Sequence, residues 1–294
     1  MMKDQLIKIY RELMYFRYIV LSTLRLKGMN SSDYSILQEN IKYKNIHKGK
    51  RCFILGNGPS IKDVDFDSLH GEFVFTVNQS ARMKDFYKLN TNYHFWADPM
   101  FFKRFDDASS EELLNIMKAV NTDNNRPVVF FPLEQKKFIV ENNLAQELNV
   151  QYFQGAIHFY AGYDHAIDFT GYTPSYCTVV QWCISMAIYM GFKEIYLLGC
   201  DNTSLLVTLK SALKQNDDED YGYHVTENEK RRMEKQLEVN SVEVYTESYL
   251  KNIRQYRYLY EYCKKRKIKL VNCSSTTILD SLPRISLESV LYQR

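Results

Sequence analysis

The sequence predicts an α/β protein in which a mostly parallel sheet is flanked by helices, with an amphipathic helix in front and a lid insertion late in the chain. Three observations predict this. Short apolar runs alternate with helix-length amphipathic stretches, the pattern of a parallel sheet with helical crossovers. Four of the runs end in glycine or small polar clusters, and in open parallel sheets ligands sit beyond the carboxyl ends of the strands. Finally, 45% hydrophobic and 25% charged residues over 294 positions is the balance of a soluble globular chain.

Leu6, Ile9, Leu13, Phe16, Val20 and Leu24 recur at steps of three and four, an amphipathic helix stopped near Gly28. Residues 28–50 are polar and linker-like, so 1–50 reads as an N-terminal helix and linker, and 51–294 as one domain. Strand-like runs follow: RCFIL (51–55), EFVFTV (72–77), NYHFWA (92–97), PVVFF (127–131), VQYF (150–153), EIYLLG (194–199) and KIKLVN (267–272). Helical patterns cover 109–121, 134–147, 176–190 and about 226–265. Residues 204–223 form a polar connection containing Asp217-Asp218-Glu219-Asp220, which reads as a lid spanning about 202–225 or as a disordered insertion.

Charge excludes one function class. The chain carries 38 basic and 35 acidic residues, a net of +3, with no basic stripe interleaved with aromatics, so nucleic acid is not an expected partner. Six cysteines (Cys52, Cys177, Cys183, Cys200, Cys263, Cys273) form no C-x-x-C pair, which points to a reducing cytoplasm and no structural zinc. The N-terminal YIVLSTL is preceded by Arg17 and falls far short of the roughly 20 residues a span needs, so it is neither signal peptide nor transmembrane helix. Residues 1–27 hold six basic groups against two acidic, a net of +4, which suits peripheral association with an anionic membrane. A helix docked on the body or on a second subunit, in a homo-oligomer, has the same pattern.

The strand exits supply the candidate binding residues. Gly56-Asn57-Gly58-Pro59-Ser60 follows the first strand, Asn78-Gln79-Ser80 the second, Asp98-Pro99 the third and Gly199-Cys200-Asp201-Asn202 the sixth. Four such clusters at one sheet edge predict a polar pocket. Glycines at 56 and 58 would let the backbone approach a ligand, and a helical turn starting at Ser60 or Asp63 would offer free N–H groups to an anion.

The candidate catalytic residue is His224. Thr226-Glu227-Asn228-Glu229 has the form of a capping box, so a helix begins beside His224, and its dipole would keep the imidazole neutral and available as a general base. A loop histidine without a task fits the same sequence. No metal ligands are expected: no histidine pair has the H-x-x-x-H spacing, and Asp65-Phe66-Asp67 reads as a solvated turn. The third glycine of a dinucleotide fingerprint, the G-x-x-x-x-G-K-S/T loop and the G-x-S-x-G elbow are all missing.

The segments "FILGNGPSIKDVDF", "VFTVNQ" and "AIYMGFKEIYLLGCD", spread over about residues 51–225, resemble the bacterial sialyltransferases that decorate lipooligosaccharides. The tail "KKRKIKLVNCSSTTILDSLPRISLESVL" resembles the wider hydroxymethylpterin diphosphokinase-like group, which includes flagellin-modifying, motility-associated glycosyltransferases. The resemblance implies a Rossmann-like fold of the glycosyltransferase A-like kind. It implies an inverting, metal-independent transferase with no cofactor, whose co-substrate is a nucleotide sugar such as CMP-sialic acid. The acceptor would be a glycan or glycolipid of surface polysaccharide synthesis, at the inner face of the membrane.

By the same resemblance Gly56, Asn57, Gly58 and Ser60 would cradle the nucleotide, Asn78 would contact nucleotide or sugar, and Ser175 or Thr178 would hold a phosphate or sugar carboxylate. Asp98 stands where those enzymes have Asn before Pro, and His224 falls where their base lies. The chain departs from the pattern in two places. Asn202 and Thr203 replace the tyrosines that grip the leaving phosphate, and DFTGYTPSY lacks the arginine before the long helix, so Tyr221 and Tyr223 are the substitutes the lid offers. A diphosphokinase acting on a pterin-like alcohol and a non-catalytic nucleotide-binding protein are the alternative readings.

Overall fold

The structure is a computed structural model that describes residues 2–103, 107–213, 220–237 and 242–292. Eight strands form one sheet: β1 (Arg51–Leu55), β2 (Phe73–Val77), β3 (Thr91–Phe95), β4 (Val128–Pro132), β5 (Asn149–His158), β6 (Tyr172–Ser175), β7 (Glu194–Leu198) and β8 (Lys269–Asn272). Their order is β6-β5-β4-β3-β2-β1-β7-β8, and every pair is parallel. The apolar runs read from the sequence are these strands. Such runs suit a sheet covered on both faces, where no side of the strand meets water. The unforeseen strand is β6, four residues that include Pro174. Proline lacks an N–H for a second neighbour and is tolerated there because β6 is the edge.

Ten α-helices accompany the sheet among the described residues: α1 (Met2–Gly28), α2 (Ser31–Gln38), α3 (Asp107–Lys118), α4 (Lys136–Glu141), α5 (Leu144–Glu147), α6 (Val179–Tyr189), α7 (Ser204–Ala212), α8 (Glu227–Leu237), α9 (Val242–Lys265) and α10 (Leu287–Leu291). The continuous pattern at 134–147 is broken into α4 and α5 by Asn143, whose φ is +56°. α6 is buried almost all round, between β1–β3 and α9. Its interior polar residue Gln181 is satisfied by donating to Asn252 and accepting from the backbone N–H groups of Cys177 and Thr178.

Two stretches differ from their sequence reading. Residues 28–50 are largely ordered elements on the body. Leu37 is fully buried, Asn40 donates to the carbonyls of Tyr152 (2.8 Å) and Phe169 (3.0 Å), and His47 bonds Tyr93 at 2.7 Å. Their polar groups gave the look of a linker, but those groups replace water by reaching carbonyls and a hydroxyl of the body. The first half of the expected lid, 204–212, is the helix α7 packed on α9, because SLLVTLKSA carries its apolar residues at helical spacing. Of the acidic run 217–220, only Asp220 lies within the described residues, paired with Lys210 at 2.7 Å.

α1 is a single helix that ends at Gly28, as expected. Its Tyr15 stacks on His165, and the Tyr18 hydroxyl donates to the Tyr172 carbonyl at 2.6 Å. The apolar stripe is on the other side. Leu6, Ile9, Leu13, Phe16 and Leu24 are each more than half exposed, at 60%, 57%, 62%, 67% and 60%. No helix among the described residues is long and apolar enough to cross a membrane.

Candidate functional site

The strand order reverses between β1 and β7. From β1 the chain adds β2 to β6 on one side, then crosses back through α6 to place β7 on the other side of β1. Such a switch point leaves a crevice at the carboxyl edge, because the connections from adjacent strands diverge. A cavity of about 580 Å³ lies there. Of the residues predicted to bind, Gly56, Asn57, Gly58 and Asn78 line it, as do Asp98, Thr178, Gly199 and Asn202.

The glycine loop is held by the exit of β7 rather than left open. The N–H of Gly56 donates to Leu198 O at 2.8 Å, that of Gly58 to Gly199 O at 2.9 Å, and that of Ser60 to Asp201 Oδ2 at 2.9 Å. A Cβ at position 56 would collide with the Gly199 carbonyl, and one at 58 with the Asp201 carboxylate. The glycines are therefore demanded first by the approach of two strand exits. The turn at Pro59–Asp63 does offer an N–H to an anion, as the sequence predicts, but the anion is the chain's own Asp201. Asp201 and Ser60 are buried behind the loop and do not line the cavity.

Asn57 acts in the same way. Its Nδ2 donates to Val77 O at 3.1 Å and its Oδ1 accepts from Ser80 Oγ at 2.8 Å, so the side chain ties the exit of β1 to that of β2. Asn78, at the exit of β2, has a left-handed backbone with φ of +47°, and its Oδ1 is buried without a hydrogen-bond partner among the described residues. At the exit of β3, Asp98 accepts from the N–H of Met100 at 3.1 Å through Oδ1. Burial pushes its carboxyl pKa up, against the pull of Met100 N–H and of Arg232.

The far wall comes from the segment 220–226 and from α8 and α9. The Gly222 N–H donates to Asn57 O at 2.9 Å, laying this segment across the glycine loop. Tyr221 and Tyr223 turn into the cavity, with ring centroids 5.7 Å apart. Glu229 and Arg232 are each 4% exposed and form a forked ion pair, in which Arg232 Nε meets Glu229 Oε2 at 2.7 Å and Nη2 meets Oε1. Gln79 donates to Glu229 Oε1 at 2.6 Å and accepts from Arg82, which itself pairs with Glu112 at 2.6 Å. From α9, Tyr249 and Asn252 hold Asn202, whose φ is +59°. Thr178, at the start of α6, meets the Tyr256 hydroxyl at 3.4 Å.

Besides Ser60 and Asp201, two more predicted residues do not reach the cavity. Ser175 lies at the end of β6, and its carbonyl accepts from Phe159 N–H and Gln255. His224 is exposed and is not part of the lining, whereas its neighbours Tyr223 and Val225 are. Tyr223 and Val225 are buried on either side of it, while position 224 is turned to solvent. The capping box is half made: Glu229 N–H donates to Thr226 Oγ1 at 3.3 Å, but the Glu229 carboxylate goes to Gln79 and to Arg232, which meets it as a two-pronged ion pair.

Sequence reasoning named Gln79 only as part of a strand exit, and missed Arg232 and the α9 face of Tyr245, Tyr249, Asn252 and Tyr256. The last was legible as tyrosine and amide residues at steps of three and four on the buried side of a helix. Among the described residues no group of three or more His, Cys, Asp or Glu side chains could hold a metal ion.

No protein-family model matches the chain, and no curated protein does. Among solved structures the chain is similar to the sialyltransferase CstII from Campylobacter jejuni, in complex with a substrate analogue, cytidine-5'-monophosphate. The identity is 19%, the match covers 81% of this chain and 86% of that one, and the TM-score is 0.42. At that identity the chemistry has to be read from this chain's own residues.

Proposed function

We propose that this chain is a glycosyltransferase that takes its sugar from a nucleotide-activated donor. One observation carries the reading: a cavity at the switch point of an all-parallel sheet, walled by the bare backbone of Gly56–Gly58 and by tyrosines, with one carboxylate oxygen of Asp98 accepting no hydrogen bond from the described residues. Aromatic faces beside a few polar groups suit a base or a sugar ring, and a backbone without side chains admits a nucleotide closely.

In the proposed step an acceptor hydroxyl oxygen bonds to the anomeric carbon while the bond from that carbon to the nucleotide's phosphate oxygen breaks. The hydroxyl proton passes to Asp98, whose raised pKa fits a general base, and the nucleotide leaves as the anion. His224 does not face this cavity and takes the role only if segment 220–226 rearranges. Segment 220–226 shields the donor from water. CMP is the first nucleotide to test because the glycine-loop, VNQ and GCD segments resemble CMP-using enzymes. The basic α1, with its exposed stripe, would bring the enzyme to an anionic membrane carrying a glycan or glycolipid acceptor.

A thermal-shift panel of CMP, CDP, UDP, GDP and ATP, each with Mg²⁺ or with EDTA, tests the reading. A ligand at ~100 times its Kd adds about 2.7 kcal/mol of stability. A response to CMP, CDP, UDP or GDP that survives EDTA supports a metal-independent transferase. A response confined to ATP with Mg²⁺ points to the diphosphokinase chemistry, and no response to any nucleotide rejects the proposal.

A further inference from the structure

The glycine loop has few N–H groups to offer a phosphate, because those of Gly56, Gly58 and Ser60 are already spent on the exit of β7. A nucleotide phosphate in this cavity needs donors from elsewhere. Arg232 has one: its Nε and Nη2 are engaged by Glu229, but Nη1 is buried and has no acceptor among the described residues. A guanidinium edge cut off from water and left unpaired is costly, so its acceptor is expected to arrive with a ligand.

The group is built to point one way. Glu229 clamps one edge of the guanidinium, Gln79 clamps Glu229, and the chain of bonds continues through Arg82 to Glu112 on α3. The guanidinium carbon lies 4.7 Å from the Phe101 ring centroid. Both Arg232 and Phe101 line the cavity, over the exits of β2 and β3, where Asn78 Oδ1 is a second buried atom without a partner. A planar guanidinium with a free edge, oriented by a carboxylate on its other edge, is the arrangement that grips an oxyanion.

We infer that Arg232 is the oxyanion anchor of the site, binding a phosphate or carboxylate oxygen of the ligand through Nη1. Lys230, paired with Glu227 at 3.2 Å, adds a cation to the same wall. The inference rests on the nucleotide-binding reading above and names the residue that reading needs.

The test compares the parent with the double variant Glu229→Gln/Arg232→Gln, which removes the charges as a pair and keeps amides in place. Isothermal titration measures CMP, UMP, GMP and AMP against their nucleosides, and N-acetylneuraminate against its methyl ester. Expected is at least a tenfold preference of the parent for one charged member over its uncharged counterpart. That preference should vanish in the double variant while the uncharged member binds as before. The pair that responds tells whether the oxyanion is a phosphate or a sugar carboxylate.

Retention of the preference by the double variant overturns the inference, and so does equal loss of both members, which marks a structural role. Should the double variant not fold, Arg232→Lys keeps the charge and deletes Nη1. It should lose the preference about tenfold, and an unchanged preference overturns the inference. A parent that binds neither nucleosides nor nucleotides rejects the transferase reading itself. A parent that binds nucleotides without preferring the charged member rejects only the anchor.

Discussion

The carboxylate of Asp201 accepts the backbone N–H of Ser60 at 2.9 Å, binding the exit of β7 to the turn that follows the glycine loop of β1. Asp201 is 1% exposed and its pKa is pushed up by burial, against the Ser60 hydrogen bond. The turn continues directly from Gly56–Gly58, which line the cavity, so the bond helps fix where the loop stands. Removing it by Asp201→Ala should cost about 2 kcal/mol, the range for a hydrogen bond to a charged group. Gly58→Ala should cost at least as much, because its Cβ would enter the space of that carboxylate. Urea unfolding reads both; a Gly58→Ala protein as stable as the parent would contradict the close approach.

Asp98 and His224 make opposite predictions for catalysis. Asp98→Asn should lower turnover by about 10²- to 10⁴-fold, the contribution of a general base, with nucleotide binding retained. His224→Ala, altering an exposed ring outside the cavity, should change turnover less than about threefold. Release of nucleotide from a sugar donor is the measurement, and the reverse ranking returns the role to His224.

Two buried histidines predict acid sensitivity. Burial lowers the His47 pKa to about 4 and that of His94 to about 3, from an ordinary 6.5. Above pH 6.5 both rings are neutral, folded or unfolded, and the full stability is present. As pH falls through 6.5 the unfolded chain takes up protons first, so stability drains away down to about 4 for His47. For His47 the loss approaches about 3 kcal/mol. The stability difference between pH 7 and pH 4 should therefore shrink in His47→Gln relative to the parent, and an equal difference in both proteins rules the effect out.

The exposed stripe of α1 predicts vesicle binding. Flotation should recover the parent with vesicles containing phosphatidylglycerol, less with phosphatidylcholine alone, and less again at high salt. Leu13→Asp and Phe16→Asp, both at exposed positions, should abolish recovery without lowering the melting temperature. Recovery unaffected by both substitutions, or a parent that is a stable dimer in solution and becomes monomeric with them, assigns the stripe to something other than lipid.

Much of this architecture could be read from residue order. RCFIL, EIYLLG and the other unbroken apolar runs specify strands buried on both faces, and period-of-three-or-four residues specify α1, α6 and α9, because burial of side chains at fixed spacing is a local property. Local chemistry also placed the polar exits on one edge, since every parallel strand ends on the same side. Partner choice is not local. Whether Ser60 offers its N–H to a ligand or to Asp201, 141 positions away, depends on β7 lying beside β1. Whether His224 or Arg232 faces the crevice depends on how the stretch that carries them is anchored, through Gly222 to Asn57 and through Glu229 to Gln79. The sequence by itself determined seven of the eight strands, the main helices and the edge that carries the candidate site. Only the tertiary structure decided which polar atoms were already spent on one another and which were left over, because hydrogen-bond capacity is consumed by whichever groups the fold brings within 3 Å.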